Sequence, residues 1–199
     1  MTLDSAAFIA ATAGAAAEAD GPEAALETLM RACHARLGDR AAHLAPGALD
    51  AGLSQFFVAG TFLITPDRAF QMLVGNTGFP PEQQRLLVPI DGGHPGFVVA
   101  NRRSLLLANT DEDRGFRQYL KTARMGSAAY APLLFQGEIL GLIIVAAQAR
   151  GTLGPADLAI LEALAPTAAA LFVALGGREW LAATYPPENA WRAPVEGLK

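Results

Sequence analysis

The chain has 199 residues, 52% apolar and 17% charged, which is enough apolar mass for a sizeable core and excludes a wholly disordered chain. Its 15 basic and 19 acidic residues give a net charge of −4, so no overall cationic excess exists to hold a nucleic acid. One cysteine, Cys33, excludes an internal disulfide, a two-thiol redox cycle and a cysteine-rich zinc site.

The first 20 residues are alanine-rich, a loose helix or a frayed arm. They lack a basic n-region and are broken by Asp4 and Glu18, unlike a signal peptide. The runs ILGLIIVAA and ALAPTAAALFVALGG fall short of the roughly 18 residues of a membrane span, so the reading is a soluble, cytoplasmic protein with no membrane partner. Asp20-Gly21-Pro22-Glu23 predicts a helix start with Asp20 as cap and Glu23 reaching back to it. Leu26, Leu29, Met30, Cys33 and Leu37 then share one helical stripe, stopped by Gly38.

From Ser54 the pattern turns extended. SQFFVAGTFLIT and AFQMLVG read as a hairpin, and RLLVPI as a third strand. GGHPGFVVANRR is a glycine turn feeding a short helix, SLLLANT a strand, and Asp111 or Asp113 opens a helix ending near Arg124. Ser127 to Phe135 and Glu138 to Ala147 form a second hairpin, turned at Gln136-Gly137. A long helix covers about Pro155 to Leu175, and the Pro- and Trp-containing tail beyond Gly177 reads as extended. These elements predict an α+β fold with a single antiparallel sheet of five or six strands and helices on both faces. The expected divisions are an N-terminal helical region (1–53), a central domain (54–176) and a tail (177–199).

The central segment, from about Gln55 to Phe172, resembles a GAF domain, a small-molecule sensor module related to PAS domains. LLVPIDGGHPGFVVANRRSLLLANTDEDRGF carries Gly96 before an apolar helix, then Asp111, Asp113 and Phe116 at an acidic turn. GSAAYAPLLFQGEILGLIIV supplies Ser127, Pro132, Leu133, Gly137 and Gly141 of the family's hairpin. LGPADLAILEALAPTAAALF supplies Leu153, Asp157 and the closing helix. The resemblance implies a pocket on one face of the sheet, roofed by the segment from about Gly92 to Met125. It also implies helices on the opposite face, where such modules often dimerise.

Family chemistries can be weighed residue by residue. Free methionine sulfoxide reductases of the family use several cysteines, and oxidation of one thiol needs a second to resolve it. With Cys33 alone, the expectation is that the chain is not an enzyme. No cysteine between Gln55 and Lys199 can hold a bilin. At the positions of the cyclic-nucleotide signature stand Ala147, Gln148, Leu153 and Leu158, with only Asp157 kept. Of His34, His43 and His94, only His94 falls at the predicted pocket rim. A haem- or chromophore-binding sensor therefore remains an alternative, and no metal site is assigned.

Residues 101–125 hold Arg102, Arg103, Arg114, Arg117, Lys121 and Arg124 against Asp111, Glu112 and Asp113. Most of these cations read as a solvated face. One turned inward would hold an anionic or carbonyl-bearing ligand. The candidate ligand residues are His94, Phe97, Asn109, Asp111, Phe116, Arg117, Tyr119 and Tyr130, with no catalytic residue and no cofactor named. The expected function is a non-enzymatic sensor that binds a small molecule and signals to an effector protein in trans or across a homodimer. The alternative is an interaction module whose pocket is filled by its own side chains.

Overall fold

The computed structural model describes residues 3–115, 117–119 and 124–193. The chain begins with α1 (Leu3–Ala17) and α2 (Pro22–Arg36), followed by strands β1 (Phe57–Ile64), β2 (Phe70–Thr77) and β3 (Leu86–Pro89). Helix α3 (Gly93–Asn101) and β4 (Leu105–Leu107) precede the hairpin of β5 (Ser127–Phe135) and β6 (Glu138–Ala147). Helices α4 (Pro155–Ala174) and α5 (Gly177–Thr184) and strand β7 (Trp191–Arg192) complete it.

The strands form one sheet in the order β4-β5-β6-β1-β2-β3-β7. The α+β architecture expected from sequence is correct, but the sheet has seven strands among the described residues. The added one, β7, runs parallel to β3, with Leu86 opposite Trp191. The tail is therefore not simply extended. Its first turns form α5, whose Leu181 is buried against the helical-face core, and Ala193 is buried on the opposite face.

Both faces of the sheet are covered, so its strands are apolar on both sides, which is why they read as unbroken apolar runs. Along β1, Ala59 and Leu63 face one core with α1, α2, α4 and α5, while Val58, Phe62 and Ile64 face the other, beneath α3. Side chains alternate in the same way on β6, with Ile143 and Val145 against Leu142, Ile144 and Ala146. Gln136 and Gly137 both take positive φ, 49° and 80°, the conformation of a tight primed hairpin turn.

Two local expectations change. Helix α2 starts at Pro22 with Gly21 as its N-cap and no side-chain cap. The Glu23 carboxylate, expected to reach back to Asp20, instead grips Arg85 with two hydrogen bonds of 2.5 and 2.9 Å. The helix expected from Asp111 to Arg124 is replaced, within the described residues, by a single 3-10 turn at Thr110–Glu112. Asp113 leaves the helical path because its carboxylate accepts from Gly115 N–H at 2.7 Å and meets His94.

Helix α4 is long and apolar enough to cross a membrane by length and composition, with a mean hydropathy of 1.7 over its best 18 residues. That exceeds the apolar runs counted in the sequence. In the fold its stripe of Ile160, Leu161, Leu164, Ala168 and Phe172 packs into the helical-face core. Asp157 fixes its start, accepting from Gly154 N–H and from Gly38 N–H, both at 2.9 Å. The second bond ties the end of α2 to the start of α4. Ser127 has a structural role: its hydroxyl donates to Leu107 O at 3.0 Å and accepts from Leu153 N–H at 3.1 Å.

Candidate functional site: the cavity under the roof

The roof begins at the turn Asp91-Gly92-Gly93, where Gly93 takes a φ of +52° that favours glycine. Helix α3 then lies close over the sheet because Gly96 has no side chain. A methyl group there would stand 2.3 Å from the Asp91 carbonyl carbon. After β4, Thr110 anchors the returning segment. Its hydroxyl donates to Met125 O at 2.6 Å and its amide to Gly126 O at 2.9 Å.

Three polar links hold the segment between. His94 Nε2 is 3.2 Å from Asp113 Oδ2. Asp111 stands between Arg124 at 2.7 Å and Arg150 at 2.5 Å, and Arg150 also reaches Asp50 at 3.1 Å. Gln83, fully buried, donates from Nε2 to Tyr119 O at 2.8 Å. The Asp111 carboxyl is held below the usual range, first by the hydrogen bond from Arg150. The Asp113 carboxyl is lowered first by Gly115 N–H, with the His94 charge adding to it.

Beneath these links lies a cavity of about 50 Å³. Its floor is the roof-side face of the sheet: Val58, Phe62, Leu86, Tyr130, Ile144 and Ala146, with Phe79 at one side. Pro95, Arg117, Gln118, Tyr119 and Met125 close it from above. The walls are apolar, with Arg117, Gln118 and the two tyrosines as polar groups. Burial raises both phenols above their ordinary value, Tyr130 more than Tyr119, so both stay neutral donors at physiological pH.

Of the eight candidate residues, Arg117, Tyr119 and Tyr130 line this cavity. His94 is buried at its edge, its ring 6.2 Å from that of Tyr130. Phe97 points elsewhere and is 47% exposed. Asn109 caps the 3-10 turn, accepting from Asp111 N–H at 3.1 Å and donating to Glu112 at 2.9 Å. Asp111 is occupied by its arginines. Phe116 lies outside the described residues, as does Lys121 of the basic stripe. Sequence reading missed Phe62, Phe79, Leu86, Met125 and Ile144. Phe62, Leu86 and Ile144 lie in strands whose apolar pattern marks them only as buried, and Phe79 and Met125 lie outside the strands. Among the described residues, no group of three or more His, Cys, Asp or Glu is placed to hold a metal ion.

Cys33 is fully buried in the helical-face core, on the other side of the sheet from the cavity. Burial pushes its thiol up to about 12, so it is protonated and cut off from any roof-side ligand.

The sheet thus carries a roofed cavity on one face and long helices on the other, the architecture of a single mixed α+β domain. The GAF domain family model matches residues 21–171, and the chain belongs to that family. No curated protein matches it in sequence. Among solved structures it is similar to the GAF domain of an Acinetobacter phosphoenolpyruvate-protein phosphotransferase. That likeness has a TM-score of 0.69 at 12% identity and covers 89% of this chain and 97% of that one. It is also similar to free methionine-R-sulfoxide reductase from Neisseria meningitidis, solved with its substrate, with a TM-score of 0.66 at 14% identity, covering 89% and 95%. A putative GAF sensor protein from Burkholderia vietnamiensis gives a TM-score of 0.62 at 13% identity, covering 84% and 92%.

These likenesses correct one expectation. The chain was read as not an enzyme, but structures sharing its fold include free methionine-R-sulfoxide reductases. The fold therefore does not mark a protein as non-catalytic, and function has to be argued from the site.

Proposed function

We propose that the chain is a GAF-domain sensor that binds a small molecule with an apolar body and one anionic or carbonyl group beneath the roof. The observation that carries this reading is the placement of Arg117, Tyr119 and Tyr130 around an otherwise apolar chamber. An arginine and two neutral phenols can fix one acceptor group while Phe62, Phe79 and Ile144 take the apolar part.

A chamber of about 50 Å³ is far smaller than the roughly 300 Å³ at which ligand pockets begin. Binding a ligand larger than a few atoms must therefore lift the roof, and the ligand acts by favouring the lifted state. Loop 47–53, tied to Asp111 of the roof through Arg150, and the C-terminal strand on β3 would carry that change outward. The receiver would be an effector protein or a second copy of the chain.

The small volume favours a second reading, an interaction module whose pocket its own side chains fill. A thermal-shift screen of small carboxylates and carbonyl compounds with apolar bodies separates the two. The sensor reading expects hits that raise the midpoint by mass action and that weaken in Arg117→Ala and Ala146→Val. A screen without hits, or hits indifferent to both substitutions, would leave the interaction module.

A further inference from the structure

The C-terminal segment passes round the edge of the sheet from one face to the other. It starts on the helical face with α5, where Leu181 is buried and the Tyr185 phenol donates to Asp67 Oδ2 at 2.7 Å. It reaches the roof face at Trp191, which packs against that core, and at Ala193, which is buried in it. Here β7 pairs with β3 at two positions, Leu86 opposite Trp191 and Leu87 opposite Arg192. Trp191 N–H donates to Arg85 O at 3.1 Å, and Ala193 N–H to Leu87 O at 2.9 Å. The Arg192 guanidinium carbon stands 5.2 Å from the centre of the Phe70 ring.

The strand under this segment is also a wall of the roof cavity, because Leu86 lines the chamber. The same strand is tied to the roof from above. Gln83, two residues before Arg85 and fully buried, donates from Nε2 to Tyr119 O at 2.8 Å. Lifting the roof at Tyr119 therefore either breaks that bond or carries the start of β3 with it. Breaking it costs a hydrogen bond inside the protein, where water replaces it poorly, whereas the two bonds of β7 lie at the last strand of the sheet. The cheaper movement draws β3 away from β7. Arg85 keeps its grip on Glu23 meanwhile, since its long side chain spans a small backbone shift.

We propose that residues 191–193 form a strap whose seating on β3 competes with occupancy of the roof cavity. The strap is seated while the chamber is small and leaves β3 when the roof lifts. This rests on the sensor reading for its ligand and gives that site its regulation. By linkage, whatever unseats the strap eases opening of the chamber by the same factor. The base of the strap, from α5 to Tyr185, stays on the helical face.

The test uses the floor of the chamber as reporter in the full chain. Ala146→Cys places a thiol there, and its reaction with a small thiol-specific disulfide reagent measures opening. Cys33, buried on the other side of the sheet, reports any global unfolding. Adding Ala193→Glu, which forces a charge into a buried place, unseats the strap and speeds labelling at position 146 about tenfold, with Cys33 still unreactive. Trp191→Pro, which lacks the N–H that Arg85 O accepts, does the same and decides the matter if Ala193→Glu fails to fold. In reverse, Ala146→Met fills the chamber with a flexible side chain, and hydrogen exchange at the Trp191 and Ala193 amides becomes about tenfold faster. Unchanged labelling with the strap broken, or unchanged strap exchange with the chamber filled, overturns the proposal. Both arms are free of ligand, so a ligand screen without hits removes the sensor reading alone, and uncoupled roof and strap remove the strap alone.

Discussion

The imidazole of His94 and the carboxylate of Asp113 meet at 3.2 Å, and this contact fastens the first turn of α3 to the segment that returns over the cavity. His94 is nearly buried and Asp113 is about one-third exposed, so the pair sits at the boundary between roof and solvent.

Asp113→Asn keeps an acceptor for Gly115 N–H but removes the charge that faces His94. A pair this exposed contributes at most about 1 kcal/mol to global stability, so the melting temperature changes little. Local opening is a different quantity. Amide hydrogen exchange in residues 111–119 becomes faster in the variant, while exchange in β5 and β6 is unchanged. Equal exchange in both proteins would show that the roof is held elsewhere.

Acid lowers stability through a defined set of carboxylates. Asp67 is held below its ordinary value first by the Thr65 hydroxyl, Asp111 by Arg150, Asp113 by Gly115 N–H and Glu138 by Arg178. A group whose folded pKa is depressed adds stability that is complete above its unfolded value, near 4, and is lost as pH falls through the folded value. The melting temperature is therefore insensitive to these groups around neutrality and falls progressively below about pH 4. Asp111→Asn makes that fall shallower. A pH profile identical to that of the parent would exclude Asp111 from the linkage.

Cys33 behaves as a small apolar residue. With its thiol pushed up to about 12, the native protein does not react with a thiol-specific disulfide reagent at pH 7.5, and full reaction appears on denaturation. Cys33→Ser buries a hydroxyl in the apolar helical-face core and destabilises by about 1–3 kcal/mol. Denaturant unfolding measures the second effect, and a fast native thiol reaction would contradict the first.

Gly96→Ala drives a methyl group to 2.3 Å from the Asp91 carbonyl carbon, where backbone rather than a side chain must yield. Overpacking of this kind costs about 1–3 kcal/mol. Here the strain falls on the join between the glycine turn and α3, so the roof loosens before the sheet. A lowered unfolding midpoint with increased binding of a hydrophobic dye is expected. A variant as stable as the parent would show that α3 can shift without penalty.

The strands β1 to β6 were legible along the chain, though not their order in the sheet, because each face of this sheet is covered, giving apolar runs punctuated by glycine and proline. The β5–β6 turn was legible because Gly137 beside Gln136 admits positive φ. The capping role of Glu23 and the helix after Asp111 were misread for one reason. Both turned on acidic side chains that local rules assign to neighbours in sequence, whereas the fold gives them distant or off-helix partners, Arg85 for Glu23 and His94 for Asp113. The pocket was half legible. Arg117, Tyr119 and Tyr130 stood out as polar or aromatic residues in the roofed region. Phe62, Phe79 and Leu86 could not be told from core filling, since a cavity wall and a core have the same hydrophobic pattern.

Composition and the spacing of apolar residues determined by themselves an α+β domain with a single sheet, because local propensity and patterning act within short windows of chain, and the GAF assignment rested on the resemblance of its motifs to that family. Only the tertiary structure decided that the chamber is as small as about 50 Å³, that the tail adds a seventh strand and that Glu23 pairs with Arg85. Those outcomes depend on side chains 40 to 120 residues apart being packed to within a few ångströms. That packing is set by the sheet's register and twist, which no short window of sequence contains.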